Sequence, residues 1–348
     1  MRPPAFDPAR PDLVRPVRVD PSGIAGPTRA QARGRRWRRT GQGFYVPVDV
    51  DGSLPEQRIV EAGHGLDGFA SVTGWAALRW MGAEWFDGRC QGGRVELPVG
   101  VAILHGALRS QPGVSMTSEF IPARDRIIVD GLPVTVPVCA TSFEMRYAED
   151  VRAAVRALGM AAAADLVSVD EMREYAELLY HWTGIPLQRE ATDLADENWW
   201  SPAEVDLHLT WRIDAALPPA LANRPVFDVN GRHVGTPDLL DVEAGVVGEY
   251  DGRMHLLGRR RARDLEREDA YRAVGLEYFT VVASDRGDTA RIVARMLATR
   301  ARAARLPATN RRWTIEQPPW WVPTHTVELR RGLSPSQKSR YLGYRRTA

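Results

Sequence analysis

Two short apolar runs in the last third of the chain each carry a carboxylate in their midst. Residues 235–241 read Gly-Thr-Pro-Asp238-Leu-Leu-Asp241, and residues 246–255 read Val-Val-Gly-Glu249-Tyr-Asp251-Gly-Arg-Met-His255, with a turn of a few residues between them. Strand alternation sends Glu249 and Asp251, two apart, to one face. Asp241, three residues from Asp238, points to the other and reads as a turn acid. Asn230-Gly231 between residues 226–229 and 233–236 is a type I′ hairpin signal, which puts Asp238 on the second strand of an antiparallel pair. Upstream, Ser201-Pro202-Ala203-Glu204 opens an amphipathic helix to about residue 214. Downstream, the pattern predicts an Arg/Glu-rich helix over 259–274, a turn at Gly275, a strand over 276–282 and a last helix over 288–304.

The first half is patterned differently. Residues 1–26 are rich in Pro, Arg and Asp without a period and read as an extended or disordered basic arm. Thr28 caps a short helix to about Arg36, and Trp37-Arg38-Arg39 leads through Gly41-Gln42-Gly43 into a strand over 44–48. Residues 54–82 read as two helices, one over 55–64 and one from about Thr73, with Trp75, Trp80 and Trp85 as core residues. A β-rich section follows over 94–104, 113–122 and 127–138, where Asp130-Gly131 marks a hairpin. Helices are predicted over 148–160 and 169–182, with Asp165, Asp170 and Glu171 as caps and solvated acids. Past residue 305, prolines beside Trp320-Trp321 pack on the domain surface; aromatics interleaved with arginine also suit single-stranded nucleic acid.

At 348 residues, two or three units are expected. With 44% hydrophobic and 26% charged residues the composition is that of a soluble globular protein, without an apolar run of spanning length or a secretory h-region. Cys90 and Cys139 offer no CxxC spacing for zinc and no disulfide framework, which fits a reducing cytoplasm. The net charge of +2 conceals a segregation. Residues 1–46 carry ten arginines against Asp7, Asp12 and Asp20, a balance of +7, and residues 299–348 stand at +9, leaving about −14 between them. Basic ends around an acidic body point to a polyanionic partner; an arginine-for-lysine bias explains the arginines but not the scarcity of acids beside them.

A buried carboxylate needs a partner cation or donors. Asp238, Glu249 and Asp251 with the imidazole of His255 on one sheet edge therefore suggest a hard-metal site, the alternative being a surface hairpin with solvated acids. Pro237-Asp238, the turn, Glu249-Tyr250-Asp251-Gly252 and His255 resemble the PD-(D/E)XK nuclease core, in the branch of the very-short-patch-repair (Vsr) endonucleases. The resemblance covers residues 195–305 and implies the order helix, three-strand meander, helix, strand, helix. The motif lysine is missing: the chain's single lysine is Lys338, and Asp251 stands in its place. Gly43-Phe-Tyr-Val-Pro47 and the stretch from Asp130 to Phe143 resemble AbiEi-type antitoxins, in which such a strand forms the wing of a winged helix.

These resemblances imply an α/β multidomain chain: a basic arm over 1–26, a winged-helix-like region over 27–88, a β-rich then helical middle over 89–190, a restriction-endonuclease-like core over 195–305 and a basic tail over 306–348. They imply metal-dependent hydrolysis of a DNA phosphodiester. Asp238, Glu249 and Asp251 hold Mg²⁺ or Mn²⁺. Glu204 serves a second metal or its water, and His255 acts as base or phosphate partner. Arg263 and Arg267, four apart on one helix face, steady the phosphate, while Arg35, Arg36, Arg38 and Arg39 on the wing hold backbone phosphates. A cognate toxin is a further expected partner, and no membrane is. Two other readings stay open: a DNA-binding regulator of the antitoxin type with a degenerate core, and an interaction protein whose acids are incidental.

Overall fold

The computed structural model describes residues 10, 13–41, 43–66, 70–90, 93–103, 111–252, 259–285, 287–343 and 345. The protein is mixed α/β and divides into two compact units, Met1–Ala148 with Glu171–Gln188, and Glu149–Asp170 with Arg189–Ala348. Among the described residues no helix is long and apolar enough to cross a membrane.

The first unit opens with strands β1 (Val17–Arg18), β2 (Trp37–Gly41) and β3 (Phe44–Pro47), paired antiparallel in the order β1-β3-β2. The helix expected from Thr28 to Arg36 is a single tight turn, Gln31–Arg33. Thr28 and Gln31 cap it reciprocally, but Gly34 is extended and ends it. Among the described residues no α-helix precedes the β2–β3 hairpin. Helix α1 (Pro55–Gly63) begins on a proline, which loses nothing at a first helical turn. Between it and α2 (Gly74–Trp80) lies a strand the periodicity hides, β4 (Ala70–Thr73). All four of its residues are buried, so it shows no alternation. It pairs on both sides within a five-stranded sheet, β6-β5-β4-β8-β7, completed by β5 (Val99–Ile103), β6 (Val114–Thr117), β7 (Arg126–Val129) and β8 (Leu132–Thr135). Asp130 and Gly131 both take positive φ, the type I′ turn that Asp-Gly predicts. Trp75 and Trp80 are core, each donating its indole N–H to a carbonyl, whereas Trp85 is half exposed. Helix α3 (Pro137–Arg146) lies in this unit; of those that follow, α4 (Val151–Ala163) belongs to the second unit, α5 (Val169–Leu178) mostly to the first, and α6 (Ile185–Leu194), which has no clear sequence signal, is divided between them.

The second unit carries the acids. Helix α7 (Pro202–Leu209) continues as a wide turn, Thr210–Asp214. Then come β9 (Leu221–Ala222), β10 (Val226–Asp228), β11 (His233–Gly235), β12 (Leu239–Asp241), β13 (Val246–Asp251), α8 (Arg259–Ala273), β14 (Glu277–Val282) and α9 (Thr289–Ala303). The central sheet runs β14-β13-β12-β9; β13 and β14 are parallel, joined across α8, and the other pairs are antiparallel. One face buries Leu239, Val246, Phe279 and Val281 with Leu207, Trp211 and Met296 of the α7 and α9 segments. The other buries Leu240, Val247 and Tyr278 with Tyr271 of α8. Five strands in two sheets, rather than the expected three-strand meander, separate α7 from α8; the order helix, strand, helix then follows in α8, β14 and α9.

Two local expectations change. The β10–β11 hairpin is closed by a longer loop than type I′, with Gly231 but not Asn230 at positive φ. The Asp228 carboxylate accepts from the N–H groups of Asn230 and Arg232 and shapes the loop. Asp238 is consequently not on that hairpin. Strand β11 ends at Gly235, and the chain passes to the central sheet, where Asp238 immediately precedes β12.

Residues 306–348, read as a basic tail, contribute β15 (Trp313–Thr314), which pairs with β10, and helices α10 (Val327–Arg331) and α11 (Pro335–Leu342). Arg330 of α10 is fully buried and donates to Asp165 (2.5 Å) and to the carbonyls of Ala162 (2.7 Å), Glu197 (3.1 Å) and Thr324 (3.2 Å). Asp165, expected as a solvated acid, is the anion of this pair. Arg330→Met leaves Asp165 only the more distant Lys338 at 3.7 Å and strands three carbonyls, so urea unfolding should report a loss of roughly 3–5 kcal/mol, the cost of breaking one side of a buried pair. A loss below about 1 kcal/mol, the level of an exposed ion pair, would refute the role assigned to Arg330.

Candidate functional site

Strand register builds the site. Leu239 of β12 faces Gly248 of β13, and one step further brings Asp238 opposite Glu249. Residues directly opposite on antiparallel strands hold their Cβ atoms about 4.5–5.5 Å apart. The alternation that buries Leu239 with Phe279 sends Asp238 and Glu249 to the α8 face. Gly248 is required between them, because a Cβ there would lie 2.3 Å from the Phe279 ring. That ring stacks on Trp211 at 6.1 Å, so the sheet is clamped behind the acids.

Each acid is held differently. The Asp238 Oδ2 accepts the Tyr250 N–H (2.7 Å), and its carbonyl accepts from His208 Nε2 (2.8 Å) and the Asn223 N–H (3.3 Å). His208 lies on α7, four residues from Glu204. Burial lowers its pKa to about 4, so at neutral pH the ring is uncharged and acts as a donor that fixes the Asp238 backbone. The Glu249 Oε2 accepts Arg267 Nη1 at 3.0 Å and the Tyr278 hydroxyl at 3.3 Å. Glu204 is 4% exposed and occupied locally: its Oε1 accepts the Ser201 hydroxyl, and its Oε2 accepts the Trp200 N–H and Asn223 Nδ2. The Ser201 hydroxyl in turn accepts the Glu204 N–H, making the acid one half of a helix cap. Asp251, at the end of β13, is exposed. Arg263 lies on α8 one turn before Arg267, and His255 lies outside the described residues.

The electrostatics follow from this crowding. Burial raises the carboxyl of Asp238 well above its ordinary value, the Glu204 and Glu249 charges raise it further, and the Tyr250 N–H and Arg267 oppose the rise. Burial also raises Glu204, against its three donors and the charge of Arg345. Arg345, near the chain end, donates to Asn198 (2.8 Å) and lies over the Trp200 ring at 5.1 Å. Asp241 closes the β12–β13 turn as expected, accepting the Ala244 N–H, but it is also buried and paired with Arg300 at 2.9 Å.

Three further residues belong to the site although nothing in the sequence pattern singled them out. His208 and Asn223 hold Asp238 and Glu204. Tyr271 of α8 is fully buried, and no described residue hydrogen-bonds its hydroxyl. A Cβ at Gly235 would lie 2.4 Å from that hydroxyl. Burial first, then the charges of Glu249 and Asp238, push its pKa well up. The i, i+3 and i, i+4 rows through Arg267 on α8 point to Tyr271, but such rows look like an ordinary helix face until the strand opposite is known.

Among the described residues no three His, Cys, Asp or Glu side chains gather closely enough to hold a metal ion. The donor set is nevertheless one that suits Mg²⁺, which commonly binds through one or two carboxylates and keeps several waters. Asp238 and Glu249 are such a pair, and a cation between them would offset the repulsion that raises Asp238.

On the first unit the four arginines expected to hold phosphates part company. Arg35, Arg36 and Arg39 are exposed. Arg38 is committed to a bidentate pair with Glu61 at 2.7 and 2.8 Å, and Gln57 also donates to that carboxylate.

No protein-family model, curated protein or solved structure matches the chain.

The raised carboxyls fix a sign for the pH dependence. Between the unfolded carboxylate range near pH 4 and the raised folded values, the native state binds more protons at these carboxyls, so their contribution to stability falls as pH rises through that window. Asp285, lowered mainly by its hydrogen bond from Arg295, acts in the opposite sense below about pH 4, and His64, His208, His233 and His325, lowered by burial, act in the opposite sense as pH falls below about 6.5. Asp238→Asn isolates the carboxyl: in chelator, the Tm of wild type minus that of Asp238→Asn should be more favourable at pH 5 than at pH 8. A difference that moves the other way contradicts the assignment.

Proposed function

We propose that the second unit is a divalent-metal-dependent phosphodiesterase acting on DNA. The observation that carries this reading is the register that sets Asp238 opposite Glu249 at the two inner strands of a mixed sheet, Glu249 buried and Asp238 partly so. Asp238 and Glu249 are the residues to hold Mg²⁺ or Mn²⁺, with Asp251 two positions on completing the shell or orienting water. The bound ion would supply charge stabilisation to the phosphate and lower the pKa of a water. Glu204, its oxygens already engaged, contributes negative potential and braces the neighbourhood through Asn223. His255 is the base or the charge partner of the phosphate, and Arg263 and Arg267 steady the phosphate. The exposed Arg35, Arg36 and Arg39 are suited to backbone phosphates, which position a duplex without reading its sequence.

A second reading is a DNA-binding regulator of the antitoxin type, partnered by a cognate toxin, whose nuclease core is retired. It is favoured by the absence of the motif lysine and by the Arg267 guanidinium already resting on Glu249. The two readings part on cleavage.

Plasmid DNA should be nicked or cut with Mg²⁺ or Mn²⁺ and left intact in chelator. Asp238→Asn and Glu249→Gln should abolish cleavage, and His255→Ala should lower turnover by roughly 10²–10⁴-fold while metal binding persists. Intact plasmid with every divalent metal tried, although the protein binds one, would leave the regulator reading.

DNA affinity should fall steeply with salt, each phosphate contact adding about 0.9 to the slope. Replacing Arg35, Arg36 and Arg39 together by Ala should reduce the slope by roughly two to three, whereas Arg38→Ala should chiefly lower Tm. Unchanged slope in the triple variant would remove the wing from the interface.

A further inference from the structure

We propose that Arg267 is an internal counter-ion that neutralises Glu249 until a divalent cation displaces it, so that metal loading and the release of a guanidinium for phosphate are one exchange. The inference rests on the phosphodiesterase reading of this site and assigns the residue its regulation.

The pair joins unequal partners. Arg267 Nη1 lies 3.0 Å from Glu249 Oε2; the arginine side chain is 43% exposed and the glutamate 11%. Glu249 sits in β13, which pairs with strands on both sides, and it takes a second bond from Tyr278. Arg267 sits on α8 with much of its length against solvent. One partner is anchored and the other can leave without opening a cavity. Tyr271, four residues on along α8, is fully buried and stacked on Tyr278 at 6.1 Å, which holds this face of the helix towards the strand bearing Glu249.

Two other buried acids of the unit, Asp241 and Asp285, are locked by comparison. Asp241 takes the Ala244 N–H as well as Arg300, and Asp285 takes the Val282 N–H as well as Arg295, which itself donates to the Thr280 carbonyl. They sit at turns, and their arginines come from α9. Glu249 alone of the three faces a second carboxylate across the strands. A monovalent guanidinium neutralises one of those two charges, whereas a dication between them neutralises both. The dication and the guanidinium also repel each other at a shared oxygen. Once displaced, the guanidinium stays tethered beside the site, and its planar fork suits a phosphate oxygen pair.

The test is calorimetric titration of Mg²⁺ and Mn²⁺ into the full-length wild type, Arg267→Met and Arg272→Met. Arg272 lies on the same helix and pairs with Glu268, so its loss controls for net charge. Direct exchange predicts that Arg267→Met binds the metal about tenfold tighter or more, a typical coupling, while Arg272→Met stays within about threefold of wild type. It also predicts that Arg267→Met has a lower Tm in chelator and a larger Tm gain with metal. Inorganic phosphate should bind wild type more tightly with metal than without, and Arg267→Met should lose that difference. If Arg267→Met does not fold, Arg267→Gln keeps a hydrogen bond to Glu249 without the charge and carries the same expectation. Metal affinities equal to wild type in both Arg267 variants overturn the exchange but leave the phosphodiesterase reading standing. Absence of divalent binding in every variant overturns both.

Discussion

Taking a carboxylate out of water costs several kcal/mol unless donors or cations replace the solvent, and the second unit does so repeatedly around one four-stranded sheet. Two of these acids are settled locally. Asp241 and Asp285 each sit at a turn, take a backbone N–H and face an arginine of α9, so each charge is matched where it arises. The third group is arranged otherwise. Glu204, Asp238 and Glu249 come from a helix cap and two neighbouring strands, and the charges of Glu204 and Glu249 add to the burial that raises Asp238. The fold satisfies the first kind of acid by pairing and the second by crowding. Only the crowded kind gains from an added cation.

The rest of the unit holds that crowding in place. The tip of the Phe279 ring fills the space where a side chain on Gly248 would lie, with Trp211 stacked on that ring, so β13 cannot retreat from the acids it carries. Each large buried aromatic of this kind contributes about 1.5–3 kcal/mol of transfer free energy, enough to set against the desolvation of one charge. His208 and Asn223 fix the backbone of Asp238, and Asn223 and Asn198 exchange amide bonds that tie β9 to the approach of α7. Asn223 does this at φ +45°, a conformation asparagine tolerates better than most residues. The network is continuous from the helix cap at Ser201 to the strand pair, which is why Glu204 serves as a structural acid and an electrostatic neighbour together.

Much of this was legible in the sequence, and the failures have physical causes. Asp238, Glu249 and Asp241 were conspicuous because each is a carboxylate set in an otherwise apolar strand, and Ser201-Pro202 marked α7 through capping chemistry. Strand β4 was missed because a doubly buried strand has no alternation. The turn at Asn230 was misread because the Asp228 carboxylate organises the loop before Asn-Gly can adopt its own preference. The C-terminal arginines were read as solvated because charge patterning cannot show that Arg330 finds three acceptors more than a hundred residues back along the chain. Tyr271 and His208 stayed hidden for a related reason: a helix face is known, but what it faces is a tertiary fact.

The arginine bias of the chain then acquires a chemical meaning. Lysine can give up a proton when desolvated, whereas arginine cannot. A core without lysine must therefore find any proton acceptor among imidazoles and raised carboxyls, and burial together with neighbouring charge has already lifted Asp238 and Glu204. Proton, guanidinium and divalent cation become three alternative neutralisers of the same acids. The proton serves Asp238, the guanidinium of Arg267 serves Glu249, and a dication between the strands serves both. Low pH should accordingly oppose metal loading through Asp238, while the arginine opposes it through Glu249 at every pH.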